Sequence, residues 1–320
     1  MEDHCPQVSV VMPMRNAEKY VAAALISVLE ESSISLEVVV VEDGSTDRSL
    51  DQVKRIGDPR VRVVEGPRRG FSASMNAGIS AARGNIIMQC DADDLYPSGR
   101  ISEQVDWLES NPRFDAVCGA FSTIDVGGRP ITAMNSRSHA ADITEDLRSG
   151  RVQTSFCTYA VRAPFLKNSG GFREYFVTGG DIDLQLRLGE AGRVGYVPRC
   201  WYHYRIHGTS ITHQQPTLER KFFERMAYEC QVERKSLGSD AIARGLPPPV
   251  PKCGRSGAHG ANAHVQGLLL GRAWREHSLG NKWQALWTGT RAVMTRPSQL
   301  NAWRSLAALI WKTPEAHIES

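Results

Sequence analysis

Apolar and polar positions alternate along the chain in blocks that predict its elements. Val8 to Met12 is a short β-branched run closed by Pro13. Between Glu18 and Leu29, the residues Val21, Ala24, Leu25 and Val28 recur at helical spacing. Glu37 to Val41 predicts a second strand, ending at Glu42-Asp43-Gly44-Ser45, where Ser45 or Thr46 is placed to cap a helix reaching about Ile56. Val61 to Val64 predicts a third strand, Gly66 to Gly70 a basic loop, and Ser72 to Ala82 a helix of small residues. Ile86, Ile87 and Met88 form a fourth apolar strand that runs into Asp91, Asp93 and Asp94, before Pro97 opens another helix.

This alternation predicts an α/β fold: a Rossmann-like, mostly parallel sheet with helices on both faces. Unbroken apolar strands agree, because strands in such a sheet are buried on both sides. Ligands of open parallel sheets gather beyond the C-terminal strand ends. Pro13-Met14-Arg15-Asn16, Glu42-Asp43 and Asp91 to Asp94 all fall at such ends and should share one rim.

Further on, Ala116 to Phe121 and Tyr196 to Ile206 look extended. "DIDLQLRL", Asp181 to Leu188, alternates like a strand but also pairs Ile182 with Leu186 and Leu184 with Leu188 at helical spacing. Flanking glycines at 179, 180 and 192 favour a short helix. Thr217 to Ser236 predicts a charged amphipathic helix, and Ala261 to Trp311 two or three more. "GLPPPVPKCGRSGAHG" (245–260) is rich in proline and glycine, as linkers are. The expected organisation is therefore a domain over 1–212 and a C-terminal helical appendage over 213–320, with a linker at about 237–260.

Composition narrows the classes. At 320 residues, 41% hydrophobic and 23% charged, the chain is ordinary for a soluble globular protein. A net charge of +3 gives no reason to expect a nucleic-acid partner. No stretch approaches the roughly 18 apolar residues of a membrane span. Met1-Glu2-Asp3-His4 is acidic with no apolar core behind it, so no signal peptide is expected. Cysteines at 5, 90, 118, 157, 200, 230 and 253 have neither metal-site nor redox spacing, which points to a reduced, cytoplasmic protein.

Each candidate site has a plain alternative. Asp91-Ala92-Asp93 alone is a weak signal and suits a turn with a helix cap. At the end of a buried strand, however, its carboxylates suit Mg2+ or Mn2+, which hold diphosphates through shared oxygens. Glu42-Asp43 reads as a β-to-α turn or as acceptors for a nucleobase or ribose. Arg15, Arg68, Arg69 and Arg205 suit phosphates or a solvated surface. His203 and His207 lie on one side of a predicted strand, His203 against aromatics and His207 open to a metal or phosphate. Tryptophans at 274, 283, 287, 303 and 311, interleaved with arginines, fit packing within the appendage, a membrane surface or a homodimer contact.

Taken in order, "VSVVMPMRNAEKYVAAALISVL", "VVVVEDGSTD", "GFSASMNAGISAARGNIIMQCDADD" and "GGDIDLQLRL" resemble the inverting glycosyltransferases of family 2, with the type A nucleotide-sugar fold, over about Val8 to Thr212. The resemblance implies metal-dependent transfer, with inversion, from a nucleoside-diphosphate sugar to a hydroxyl of a glycan or lipid-linked saccharide, in surface polysaccharide synthesis. Pro13, Arg15 and Asn16 resemble the loop against the nucleotide, and Glu42 with Asp43 the acidic contact to the base. Asp91 and Asp93 resemble the metal–diphosphate motif, and Asn76 with Arg69 the donor side. Asp181 resembles the base that deprotonates the acceptor, with Asp183 as its substitute. His207 resembles a late histidine near the diphosphate. Two departures stand out: Gly180 where relatives carry Glu, and Met75 where they carry Arg.

The chemistry stands beside the resemblance. Inversion needs a base on the acceptor hydroxyl, and an ordinary aspartate is ionised at neutral pH. A divalent cation stabilises the departing diphosphate. Phosphoryl transfer by an Asp-x-Asp nucleophile expects that motif after the first strand, and here it follows the fourth. A sugar nucleotidyltransferase expects a glycine-rich loop after the first strand, and "PMRNAEKY" has none. The remaining alternative is a homologue that binds nucleotide sugar or a partner without turnover. The expected location is the cytoplasm, or peripherally the inner membrane face.

Overall fold

The computed structural model describes residues 5–210, 217–251 and 260–312. These residues form two compact units: 5–121, 134–204 and 219–251 make the first, and 122–133, 205–210, 217–218 and 260–312 the second. The boundary expected at 212 and linker residues 252–259 lie outside the described residues.

The first unit opens with β1 (Val8–Met14), α1 (Val21–Leu29), β2 (Leu36–Glu42), α2 (Ser49–Ile56), β3 (Val61–Glu65), α3 (Phe71–Ala81), β4 (Ile86–Gln89) and α4 (Arg100–Ser110). There follow β5 (Ala116–Ile124), β6 (Pro130–Met134), β7 (Ala141–Asp142), α5 (Thr144–Arg148), β8 (Ala160–Arg162), α6 (Ala163–Asn168), α7 (Gly180–Ala191) and β9 (Val194–Arg205). Then come α8 (Thr217–Leu237), α9 (Ala261–Ser278), α10 (Lys282–Thr295) and α11 (Leu300–Trp311).

The expected α/β sheet is present. Among the described residues, nine strands lie in the order β3-β2-β1-β4-β8-β5-β9-β7, with β6 beside β5. β1 pairs in parallel with β2 and β4, and β2 with β3, while β8 runs antiparallel to β4 and β5. Side chains alternate across the strands and feed two separate cores. Val10, Met12, Val38, Val40 and Met88 face a layer built by α1 and α4. Val11, Val39, Val41 and Ile87 face Met75, Ile79, Leu184 and Leu188 of α3 and α7. Both faces are apolar, so β2 carries valine at all of 38–41 without alternation. Gly78 lets α3 close on the sheet: a Cβ there would lie 2.3 Å from Val11 Cγ1.

The ambiguous "DIDLQLRL" is helical. Gly179, at φ 71°, precedes its first turn, and residues 183–189 are buried all round. Burial on every side explains why its apolar pattern fits two periods. The helix expected at Pro97 begins later, at Arg100, because Gly99 takes a left-handed φ of 77°. Of the expected linker, Asp240 is fully buried and Pro248 O accepts from Tyr175 Oη at 2.8 Å, both within the first unit.

Candidate functional site

Register aligns the strand ends. Met14 stands opposite Glu42, and Val11 opposite Gln89, so the segments after β1, β2 and β4 emerge side by side. The first two loops are tied together. Asn16, with a positive φ of 53°, accepts from Thr46 N at 2.8 Å, and its own N–H donates to Ser45 Oγ at 3.1 Å. Pro13 sits inside β1, half-buried, and Arg15 is exposed.

After β2, Glu42 accepts from the backbone of Ser45 and Gly44 at 2.5 and 3.2 Å. Burial raises its carboxyl, but these bonds and Arg68 outweigh that and hold it below the usual range. Buried Asp43 accepts from Arg68 N at 2.6 Å, which folds the basic loop back over the strand end. Arg69 reaches Glu174 at 3.1 Å. Asn76 is clamped to one residue of the chain, donating to Phe172 O at 2.7 Å and accepting from Phe172 N at 2.8 Å.

The acidic tip after β4 is the centre of charge. Asp91 and Asp93 are half-buried, and Asp94 is buried. Gln89 Nε2 donates to Asp91 Oδ1 at 2.8 Å, and Asp91 N donates to Tyr202 Oη at 3.0 Å. Burial pushes the Asp91 carboxyl up to about 7, and the charges of Asp93 and Asp181 add to the rise against the Gln89 bond. Asp93 and Asp181 thus both act on Asp91, the second from 90 residues away in sequence. Beneath them lies fully buried Arg100, which stacks on Tyr96 at 3.8 Å and donates to Cys157 O at 2.7 Å.

This cluster fits a divalent cation shared with phosphate oxygens. Its donors are hard oxygens, its like charges resist ionisation together, and Gln89 Oε1 is buried without a hydrogen bond to any described residue. Among the described residues no group of three acidic, His or Cys side chains could hold a metal alone. Magnesium-type sites commonly have only one or two protein carboxylates, with phosphates supplying the rest. His207 belongs to the second unit, where its Nδ1 lies 2.8 Å from Thr209 Oγ1.

Asp181 opens α7. Burial raises its carboxyl, and Glu224 adds to the rise, against hydrogen bonds from the backbone of Ile182 and of Asp181 itself. Asp183 is ruled out as its substitute. It is fully buried and meets Arg187 at 2.9 Å and Arg173 and Arg234 at 3.5 Å. Arg173 and Arg234 continue to Asp240, each at 2.7 Å. Arg234 also meets Glu190 at 2.8 Å, so three arginines and three carboxylates from α7, α8 and two loops balance as one network, which fixes the helix carrying Asp181.

Sequence reading missed Arg100, Tyr202, Gln89, Glu224 and Tyr228. Of these, only Glu224 and Tyr228 carried a local signal, their i, i+4 spacing on one helix face. α8 reaches Asp181 because glycine stands at 179: a Cβ there would lie 3.3 Å from Glu224 N. Glu224 is half-buried and pairs with Arg220 at 3.5 Å. Burial raises the exposed Tyr228 phenol, and the charges of Glu224 and Asp181 add to it.

Such a sheet, with an acidic tip at its parallel edge, defines a type A nucleotide-sugar transferase fold. Comparison agrees: S. aureus TarS 1-349 in complex with UDP-GlcNAc superposes with a TM-score of 0.60 at 16% identity, covering 95% of this chain and 87% of that one. The model of the family "Glycosyl transferase family 2" matches residues 9–175, and the chain belongs to that family. Hyaluronan synthase of Pasteurella multocida is 26% identical over 218 residues, 68% of this chain and 22% of that protein. Chondroitin synthase of Escherichia coli is 27% identical over 68% of this chain and 31% of its own length. The chain therefore spans well under half of these curated relatives. Putative glycosyltransferase EpsE of Bacillus subtilis is 30% identical over 60% of this chain and 69% of its own length.

Proposed function

We propose that the protein transfers a sugar, with inversion, from a nucleoside-diphosphate donor to a hydroxyl of a glycan or lipid-linked saccharide in polysaccharide synthesis. The carrying observation is that the charges of Asp93 and of Asp181, from α7, both reach Asp91 at the tip of β4. The relatives that make hyaluronan and chondroitin, and the UDP-GlcNAc on TarS, support a UDP-sugar as the first donor to try.

In this reading Pro13, Arg15, Asn16, Glu42 and Asp43 border the nucleotide, and Arg69 with Asn76 the donor side. Asp91 and Asp93 are the residues that would hold Mg2+ or Mn2+, which would neutralise the departing diphosphate. His207 is proposed near the diphosphate from its sequence position alone. Asp181 takes the proton from the acceptor oxygen as that oxygen attacks the anomeric carbon. Burial raises its pKa, which makes it a stronger base toward that proton. The buried arginine network holds its helix still, so its approach to the hydroxyl is fixed before the acceptor arrives.

A thermal-shift screen of UDP-, GDP-, dTDP- and CMP-sugars, with and without Mn2+, tests donor binding. Transfer and donor hydrolysis are then followed in wild type and Asp181→Asn. Retained donor binding with lost turnover supports the proposal. A wild type that binds a donor but never turns it over would instead favour the inactive homologue, for which the Gly180 and Met75 departures speak.

A further inference from the structure

Charge and exposure in the C-terminal helices point to a second surface. Over 260–312 the sequence has seven Lys and Arg residues against one acid, Glu276, whereas the entire chain nets only +3. Glu276 is buried, held by Arg272 at 2.7 Å and Thr288 Oγ1 at 2.8 Å, so it shows no charge to solvent. Arg275, Lys282, Arg304 and Lys312 are exposed.

The apolar residues are on the wrong side for a core. On α10, Ala285, Thr288, Gly289, Ala292 and Val293 are buried. The opposite stripe, at i, i+4 and i+11, is Trp283, Trp287 and Met294, which are 86%, 69% and 68% exposed. α11 repeats the arrangement. Ala302 and Leu309 are buried, while Leu300, Trp303, Ile310 and Trp311, spaced i, i+3, i+10 and i+11, are exposed, Trp311 by 84%. Neither helix can cross a bilayer, for no described helix is long and apolar enough. Tryptophan-rich apolar stripes flanked by cations, with no exposed acid, are the pattern of helices that lie in a membrane interface.

We propose that α10 and α11 dock the protein on an anionic bilayer surface, the tryptophan stripes entering the headgroup region and Lys282, Arg304 and Lys312 meeting lipid phosphates. The positive field rules against a neutral surface as the natural partner, and the exposed indoles against a purely electrostatic one. A second copy of this chain is the less favoured occupant, because two such surfaces would repel.

Flotation of the full chain with phosphatidylcholine vesicles, and with vesicles that also contain phosphatidylglycerol, is the test. Binding is expected only with phosphatidylglycerol, accompanied by a blue shift of tryptophan emission and weakened by salt. Arg304→Gln should lower partitioning about fivefold. The pair Trp283→Ser/Trp287→Ser should abolish it while leaving donor binding unchanged, since exposed residues are replaced. Failure of the full chain to float at low salt overturns the proposal. So does a concentration-dependent dimer, seen by analytical ultracentrifugation, that the tryptophan pair abolishes without affecting flotation.

Discussion

The strand rim of the first unit and the outer helix faces of the second break the ordinary rule of burial in opposite directions. At the rim, charges are drawn inward: Asp43 and Asp94 are buried, and Asp91 is held near 7. On α10 and α11, large apolar rings are turned outward. Both arrangements cost stability, and both are informative for that reason, since buried charge and exposed apolar surface are the departures that seldom arise without use. They differ in what sustains them. The rim depends on partners gathered from many elements, whereas the helix stripes depend on spacing along one element each.

The sharpest break of this contrast is Asp181→Asn. Transfer should fall by about a thousandfold, the scale of a lost general base, with donor affinity kept; unchanged turnover would remove Asp181 from the chemistry. Next is Asp183→Asn, which leaves Arg173, Arg187 and Arg234 short of a countercharge. Urea denaturation should show a loss of about 3 kcal/mol. A loss as small as that of a surface pair would mean the network does not brace the helix of Asp181.

Asp91 gives a pH signature. Its folded pKa of about 7 lies above the ordinary 3.8, so the folded state holds a proton that the unfolded state has released. Its contribution to stability is therefore greatest below pH 4, falls as pH rises between about 4 and 7, and levels off above. Asp91→Asn should flatten that slope and raise the melting temperature of the metal-free protein at pH 8. Mn2+ with donor should stabilise wild type most above pH 7, and the variant hardly at all. A slope identical in both proteins counts against the crowded carboxylates.

Glu224→Gln is the mildest probe. It removes the charge that adds to the burial-driven rise of Asp181, so the acid limb of the pH–rate profile should move to lower pH. A stationary limb would show that α8 does not influence the base.

Much of this was written locally. Valine runs and helical spacing predicted the parallel strands, and Asp91-Ala92-Asp93 at a strand end marked the rim. The helix of Asp181 was legible through its glycines, despite an apolar pattern that fitted two periods. The stripes on α10 and α11 were also present as tryptophan spacing, but sequence could not say which rings were covered. Local pattern does not separate Asp181 from Asp183, because both are first-turn acids, and only the family resemblance favoured Asp181. The tertiary structure adds that Arg173, Arg187 and Arg234, converging from three segments, occupy Asp183 in ion pairs.

Sequence by itself therefore determined the elements, their order and the acidic strand tip, since each follows from periodicity or from neighbours a few residues apart. Tertiary structure decided which charges meet and which apolar faces remain bare. Coulombic interaction and burial depend on distance through space, and for Asp91 and Asp181, or Asp181 and Glu224, that distance is set by how sheet and helices pack.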